Sequence, residues 1–267
     1  MAEAHVGATI NLEGINMAHS NKTRQLLIAA ASAALWMATE TSAAEPTFCN
    51  DLPSLDSSSL SLGRPSRGQL RGAEALRSTG SLRLLPLRHV RRCLNWGTRR
   101  LVRALVRAGE AVHDKFPNSP PLGVGDLSKA SGGPIFPYSH SHQSGRDADL
   151  AFYATNDAGN PVLVDDLMTF DGAGRIASRG LRFDAQRTWH LVRALLEDRS
   201  IDVQWVFISR PLKAALIAEA EHNGASRELL RRAERVLHQP SDAPPHAGHL
   251  HLRIACDQEE KQLGCQT

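Results

Sequence analysis

His142-Gln-Ser-Gly-Arg-Asp-Ala-Asp149, answered towards the other end of the chain by His249-Leu-His251, is the stretch on which fold and chemistry turn. From Arg146 to Phe152 polar and apolar residues alternate. Asp147, Asp149 and Ala151 take one side of an extended chain, and Ala148, Leu150 and Phe152 take the other. The rhythm recurs from His249 to Ala255, with His249, His251 and Arg253 on one side and Leu250, Leu252 and Ile254 on the other. Two strands with apolar backs and ligand-bearing fronts, meeting over one metal ion, are the expected centre of the fold. Zinc takes imidazole and carboxylate ligands, and a catalytic site uses three of them and leaves a fourth position open. His142, Asp149 and His251 supply such a set.

Five of the 12 histidines fall in these two segments or just before them: His140, His142, His246, His249 and His251. That clustering favours metal binding over the competing reading, in which the HLH segment is an exposed strand face and His142 caps a loop. Within the metal reading, His249 shares the face of His251 and is placed to exchange a proton with an attacking water and a leaving amine. His246 would hold an oxyanion or assist that base. Asp147 is positioned to support a ligand imidazole. Arg253 is placed to pair with a substrate carboxylate. No HExxH, GxSxG or GxxxxGK[ST] pattern offers a rival chemistry.

The surrounding sequence is that of an ordinary globular protein. Its 267 residues are 42% hydrophobic, enough for a core without metal support. A net charge of +3 with no block of like charge gives no sign of a nucleic-acid partner. Lys22-Thr-Arg24, the apolar run Leu26 to Ala38 and Ser42-Ala43-Ala44 have the charged, apolar and cleavage regions of a secretory signal. Residues 1–44 are read as that signal, with Met17 the more usual start, and no transmembrane anchor is expected in the mature chain. Its four cysteines then lie in an oxidising compartment and read as disulfides. Three pairings are open; Cys256 with Cys265 is the nearest pair, which would leave Cys49 for Cys93.

Residues 45–92, rich in Ser, Gly and Arg and broken by Pro53, Pro65 and Pro86, read as an irregular N-terminal arm with short strands such as Ser81 to Leu85. Thr98 is a cap for a helix to about Lys115, stopped by Pro117. A short strand and a glycine loop lead into the His142 motif. Asn156-Asp-Ala-Gly-Asn160 is a hairpin turn. Asp184 and Ser226 cap two further helices, and Pro211 starts one that ends at Asn223-Gly224. Val203 to Ile208 is a buried strand. The whole predicts a single α+β domain with a small antiparallel sheet carrying the zinc ligands, flanked by helices.

His142 to Asp149 followed by His249-x-His251 resembles the LAS group of zinc peptidases, named for lysostaphin, D-alanyl-D-alanine carboxypeptidases and sonic hedgehog. More of the chain resembles the penicillin-insensitive murein endopeptidases. The shared segments are Trp96-Gly-Thr98, Gly125-Asp-Leu-Ser128, Gly132-Gly133, Ser141 to Asp149, Val206-Phe-Ile-Ser209, Gln239-Pro240 and His246-Ala-Gly-His249-Leu-His251-Leu-Arg253. They run in order from about Gly63 to Cys256. The resemblance implies a periplasmic zinc hydrolase, its peptidase domain over 93–267, that cuts the D-alanyl-to-diaminopimelyl cross-link of peptidoglycan. It implies His142, Asp149 and His251 as zinc ligands, and His249 and His246 as active-site histidines. The chain departs from the pattern at Ala247-Gly248, where an acidic residue often follows the first histidine, and at Ser139, where a histidine is usual. A zinc D,D- or L,D-carboxypeptidase and a zinc-bearing wall-binding module without turnover remain the alternatives.

Overall fold

The two alternating segments are strands, and they lie side by side at the centre of the molecule. The protein is seen in a computed structural model that describes residues 58–86, 88 and 92–267. The signal expected over 1–44, and Cys49, lie outside the described residues.

Strands β1 (Leu60–Arg64) and β2 (Arg67–Arg71) form an antiparallel hairpin. Short strands β3 (Glu74–Ala75) and β4 (Leu82–Leu84) follow, and β5 (Trp96–Gly97) returns to pair with β3. Leu82 and Leu84 join Leu76 and Leu85 in the main core, so this part of the expected arm is built into the domain. Helix α1 (Arg99–Lys115) starts where predicted, the Thr98 hydroxyl accepting from the Leu101 amide. It buries Leu101, Leu105, Ala108 and Val112 at helical spacing.

Then come β6 (Leu122–Val124), β7 (Asp147–Ala151), β8 (Ala154–Asn156) and β9 (Pro161–Val162), the last two flanking the predicted turn. Strands β10 (Arg175–Ile176) and β11 (Leu181–Phe183) complete a small four-stranded sheet with them, in the order β10-β11-β8-β9. Helix α2 (Ala185–Glu197) is capped by Asp184 and followed by β12 (Val203–Phe207). Helices α3 (Arg210–His222) and α4 (Arg227–Val236) lead to β13 (Leu237–His238), β14 (His249–Ile254) and a last helix α5 (Gln258–Gln262).

The main sheet has six strands in the order β13-β12-β14-β7-β6-β4. The α+β class is as expected. The sheet is larger than predicted and only its centre is antiparallel, because β4 pairs in parallel with β6 and β13 with β12. On its apolar side Ala148, Leu150, Leu250, Leu252 and Ile254 are wholly buried and belong to one core with α1, α2, α3 and α4. Each buried leucine or isoleucine there contributes roughly 1.5–3 kcal/mol.

The C-terminus is tied back on this sheet. Cys256 and Cys265 form a disulfide around α5, and Cys93 is also disulfide-bonded. Glu260, fully buried, accepts from the Ser61 amide at 3.1 Å and pairs with Arg100 at 2.6 Å. Arg100 therefore fastens α1 to α5. Arg146, also fully buried, donates to Ser61 Oγ, the Ile254 carbonyl and the Gln266 carbonyl. That one guanidinium fixes the start of β7 against the end of β14.

Candidate metal centre

Register decides what the two central strands present. In the β7–β14 ladder His251 lies opposite Asp149, Arg253 opposite Asp147 and His249 opposite Ala151. His142 comes from the turn before β7, in the left-handed region at φ 64°. A non-glycine residue pays roughly 1–3 kcal/mol for that conformation. The turn around it is held: the His142 amide donates to Asp147 Oδ2 at 3.0 Å, the Gln143 amide to the Pro65 carbonyl, and the Gly145 carbonyl accepts from the Thr98 amide. Gly145 itself is at φ 72°, and a Cβ there would meet the Leu70 side chain at 2.7 Å.

Three imidazoles converge on one oxygen. Asp149 Oδ1 lies 3.3 Å from His142 Nε2, 3.3 Å from His249 Nε2 and 3.1 Å from His251 Nδ1. A carboxylate oxygen has two lone pairs, so three ring nitrogens around it form a surplus of donors that a cation would resolve. His142, Asp149 and His251 bring their ligand atoms within 4.8 Å of one another, as do His246, His249 and His251. The donor set of imidazole and carboxylate suits a borderline divalent ion such as zinc. His142 and His251 are almost wholly buried, whereas His246 and His249 are half-buried on the wall of a groove of about 680 Å³.

The electrostatics follow from this crowding. Burial alone would raise the Asp149 carboxyl, but the charges of His249 and His142 and their hydrogen bonds hold it well below the usual range. Burial would likewise lower His251, yet Asp147 and Asp149 on either side push it up to about 9. His246, with burial and the neighbouring imidazoles of His249 and His251 both disfavouring its charge, is lowered to about 4 and is neutral at neutral pH.

Asp147 is fully buried, on the same face of β7 as Asp149. It accepts from Arg253 Nε at 2.6 Å and Nη2 at 3.2 Å, and lies 3.6 Å from His251 Nε2. It thus lies against the His251 imidazole. Arg253 lines the same groove, with its guanidinium engaged by Asp147 and lying over the Phe207 ring. His140 lines the groove but belongs to neither group of possible ligands.

One residue of the site was missed as such. Asp126 continues from β6, and its backbone carbonyl accepts from the Asp149 amide at 3.0 Å. Its buried carboxylate pairs with Arg92 and, at 3.6 Å, with Arg88, while Arg92 covers the Tyr138 ring. Burial and the Asp149 charge raise the Asp126 carboxyl. The only signal was its place in Gly125-Asp-Leu-Ser128, which says nothing of a partner.

A mixed sheet thus presents a His/Asp group able to hold a metal at the wall of an open groove. The family description of penicillin-insensitive murein endopeptidases matches residues 61–267, and the chain belongs to that family. No curated protein matches it. Membership makes the protein a hydrolase of the peptidase class and implies peptidoglycan as its substrate. Among the described residues no helix is long and apolar enough to cross a membrane.

Proposed function

We propose that this protein is a zinc-dependent endopeptidase that hydrolyses the D-alanyl-to-diaminopimelyl cross-link of peptidoglycan, working in the periplasm after removal of a signal peptide over 1–44. The observation that carries the reading is the convergence of His142, His249 and His251 on Asp149 Oδ1. His142, Asp149 and His251 are the proposed zinc ligands. When bound there, zinc supplies a Lewis acid that polarises a carbonyl and acidifies a water towards a pKa of about 7.

The remaining steps belong to the chain. His249, half-exposed on the groove wall, takes a proton during attack and returns one to the leaving amine. His246, neutral and beside it with ring centroids 5.1 Å apart, lines the same groove, where a neutral imidazole donates a hydrogen bond to the developing oxyanion. Asp147 holds the back of His251 and keeps its ring oriented, leaving Nδ1 turned to Asp149. No serine is needed as a nucleophile, which accounts for insensitivity to penicillin.

The carboxypeptidase alternative calls for a free cation to receive a terminal carboxylate. Arg253, the residue nominated for that task, is occupied by Asp147. The deciding experiment is digestion of purified cross-linked muropeptide dimers, with and without a chelator, read by mass spectrometry. Conversion to monomers with uptake of water, only in the presence of metal, is expected. Loss of a terminal alanine with the cross-link intact would make the protein a carboxypeptidase. An untouched dimer beside bound zinc would make it a wall-binding module.

A further inference from the structure

His251 belongs to two groups of possible ligands, and only one of them is used above. The other, His246, His249 and His251, comes from a single short segment. Its assembly therefore does not depend on the strained turn that delivers His142. We propose that His246 and His249 form a second, weaker metal position, coupled to the first through His251, and that excess zinc or another imidazole-seeking divalent ion occupying it inhibits the enzyme. This rests on the zinc reading of the first group and extends it.

The segment is built to present these rings. The Ser209 amide donates to the His246 carbonyl at 2.9 Å, and the Phe170 amide donates to the Ala247 carbonyl at 2.9 Å. His249 stands on β14, in register with β7. The backbone on both sides of the pair is thus fixed before any ion arrives. His246 packs edge-on against His249 and against His251, with ring centroids 5.1 and 5.6 Å away. Its Nδ1 is buried and has no hydrogen-bond partner, a lone pair or proton left unused inside the protein. A buried polar atom in that condition calls for an explanation, and a divalent cation shared with His249 is one that its neighbours permit. Both rings line the 680 Å³ groove, so an ion reaches them without opening the fold.

The order of filling follows from the ligands. His251 turns Nδ1 to Asp149, so an ion in the first position claims that nitrogen together with a carboxylate. A second ion is left with the imidazoles of His246 and His249 and with solvent, a poorer set that fills only above one equivalent. Once filled, it takes the nitrogens that the proposed mechanism needs for proton transfer and for the oxyanion. Inhibition comes from loss of those groups and leaves the first ion in place.

The test is equilibrium dialysis of the untagged, chelator-stripped chain against buffered zinc, with bound metal counted by mass spectrometry and the same titration repeated with cobalt(II) by visible absorption. Two equivalents are expected, the second weaker, and turnover of muropeptide dimers should peak at one and fall as the second binds. His246→Ala should keep the first equivalent and lose the second, and His246→Asn, closer in shape, should do the same. A single equivalent in an active wild-type enzyme overturns this proposal alone. So does a second equivalent that survives both substitutions. No bound equivalent at all overturns the first position as well.

Discussion

The two faces of the β7–β14 ladder divide its five residue pairs between opposite demands. On the back, Ala148, Leu150, Leu250, Leu252 and Ile254 lose all their exposure to the core. On the front, Asp147, Asp149 and His251 are almost as deeply buried, yet all are polar. Apolar burial is favourable wherever it happens, while a buried carboxylate costs several kcal/mol unless its neighbours compensate. Asp147 has Arg253 and the His142 amide to do so. Among the described residues Asp149 has imidazoles to do so, and more of them than one oxygen can accept from. The back face is there for stability, and the front is held in place for what it binds.

Substitutions should therefore separate the faces. Asp149→Ala is expected to lower turnover of cross-linked muropeptides on the order of a thousandfold, since a metal Lewis acid supplies several kcal/mol of transition-state stabilisation. It should also abolish the gain in stability that zinc gives, which for a ligand at a hundred times its Kd is about 2.7 kcal/mol. Leu150→Ala should do the reverse, costing roughly 2–5 kcal/mol of stability and leaving the zinc increment intact. Urea unfolding with and without zinc measures both. A zinc increment that persists in Asp149→Ala would remove Asp149 from the ligand set. One that vanishes in folded Leu150→Ala would mean that the faces are not separable.

How far the sequence could be read follows the same division. Alternation at period two placed Asp149, His251 and their apolar backs correctly, because a strand buried on one face writes its orientation into every second residue. Helix α1 was legible from Thr98 and its stripe for a similar local reason. What stayed hidden depends on partners far along the chain. Arg146 reads as an ordinary charge in a turn, but its acceptors are Ser61, Ile254 and Gln266. Arg253 looked free because nothing in a single strand reveals that Asp147 lies opposite. The parallel pairings of β4 with β6 and β13 with β12 need crossovers, which leave no mark at the strands themselves. The β1–β2 hairpin was obscured by its own composition: Gly63 turns at φ 68° and Pro65 follows, residues that read as breakers.

Asp147 tests the boundary between the faces, being on the ligand side yet out of contact with the ion position. Asp147→Asn keeps the volume and removes the charge that engages Arg253 and faces His251 Nε2. Zinc affinity is expected to fall about 10–100-fold, as for other partners of ligand histidines. Competition against a chromophoric chelator measures it. Unchanged affinity with reduced stability would assign Asp147 to holding Arg253 and the His142 turn.

The last effect is in pH, and it runs in opposite directions for the two states of the site. His251 has an ordinary value near 6.5 and is raised to about 9 by Asp147 and Asp149. Without a metal, the folded chain therefore binds this proton more tightly than the unfolded chain. That contribution to stability is complete below about 6.5 and is lost as pH rises through about 9. A metal must displace the same proton, so zinc affinity should instead rise about tenfold per pH unit across that window and level off above it. Urea titrations of the stripped protein and zinc competition, both from pH 6 to 10, would record the two trends. Leu150→Ala should shift the stability curve downwards without changing either slope. Asp147→Asn should flatten both, because removing one of the two flanking charges returns His251 towards its ordinary value. Parallel slopes in Asp147→Asn and wild type would mean that Asp149 alone holds the His251 proton or that the linked proton sits on another group.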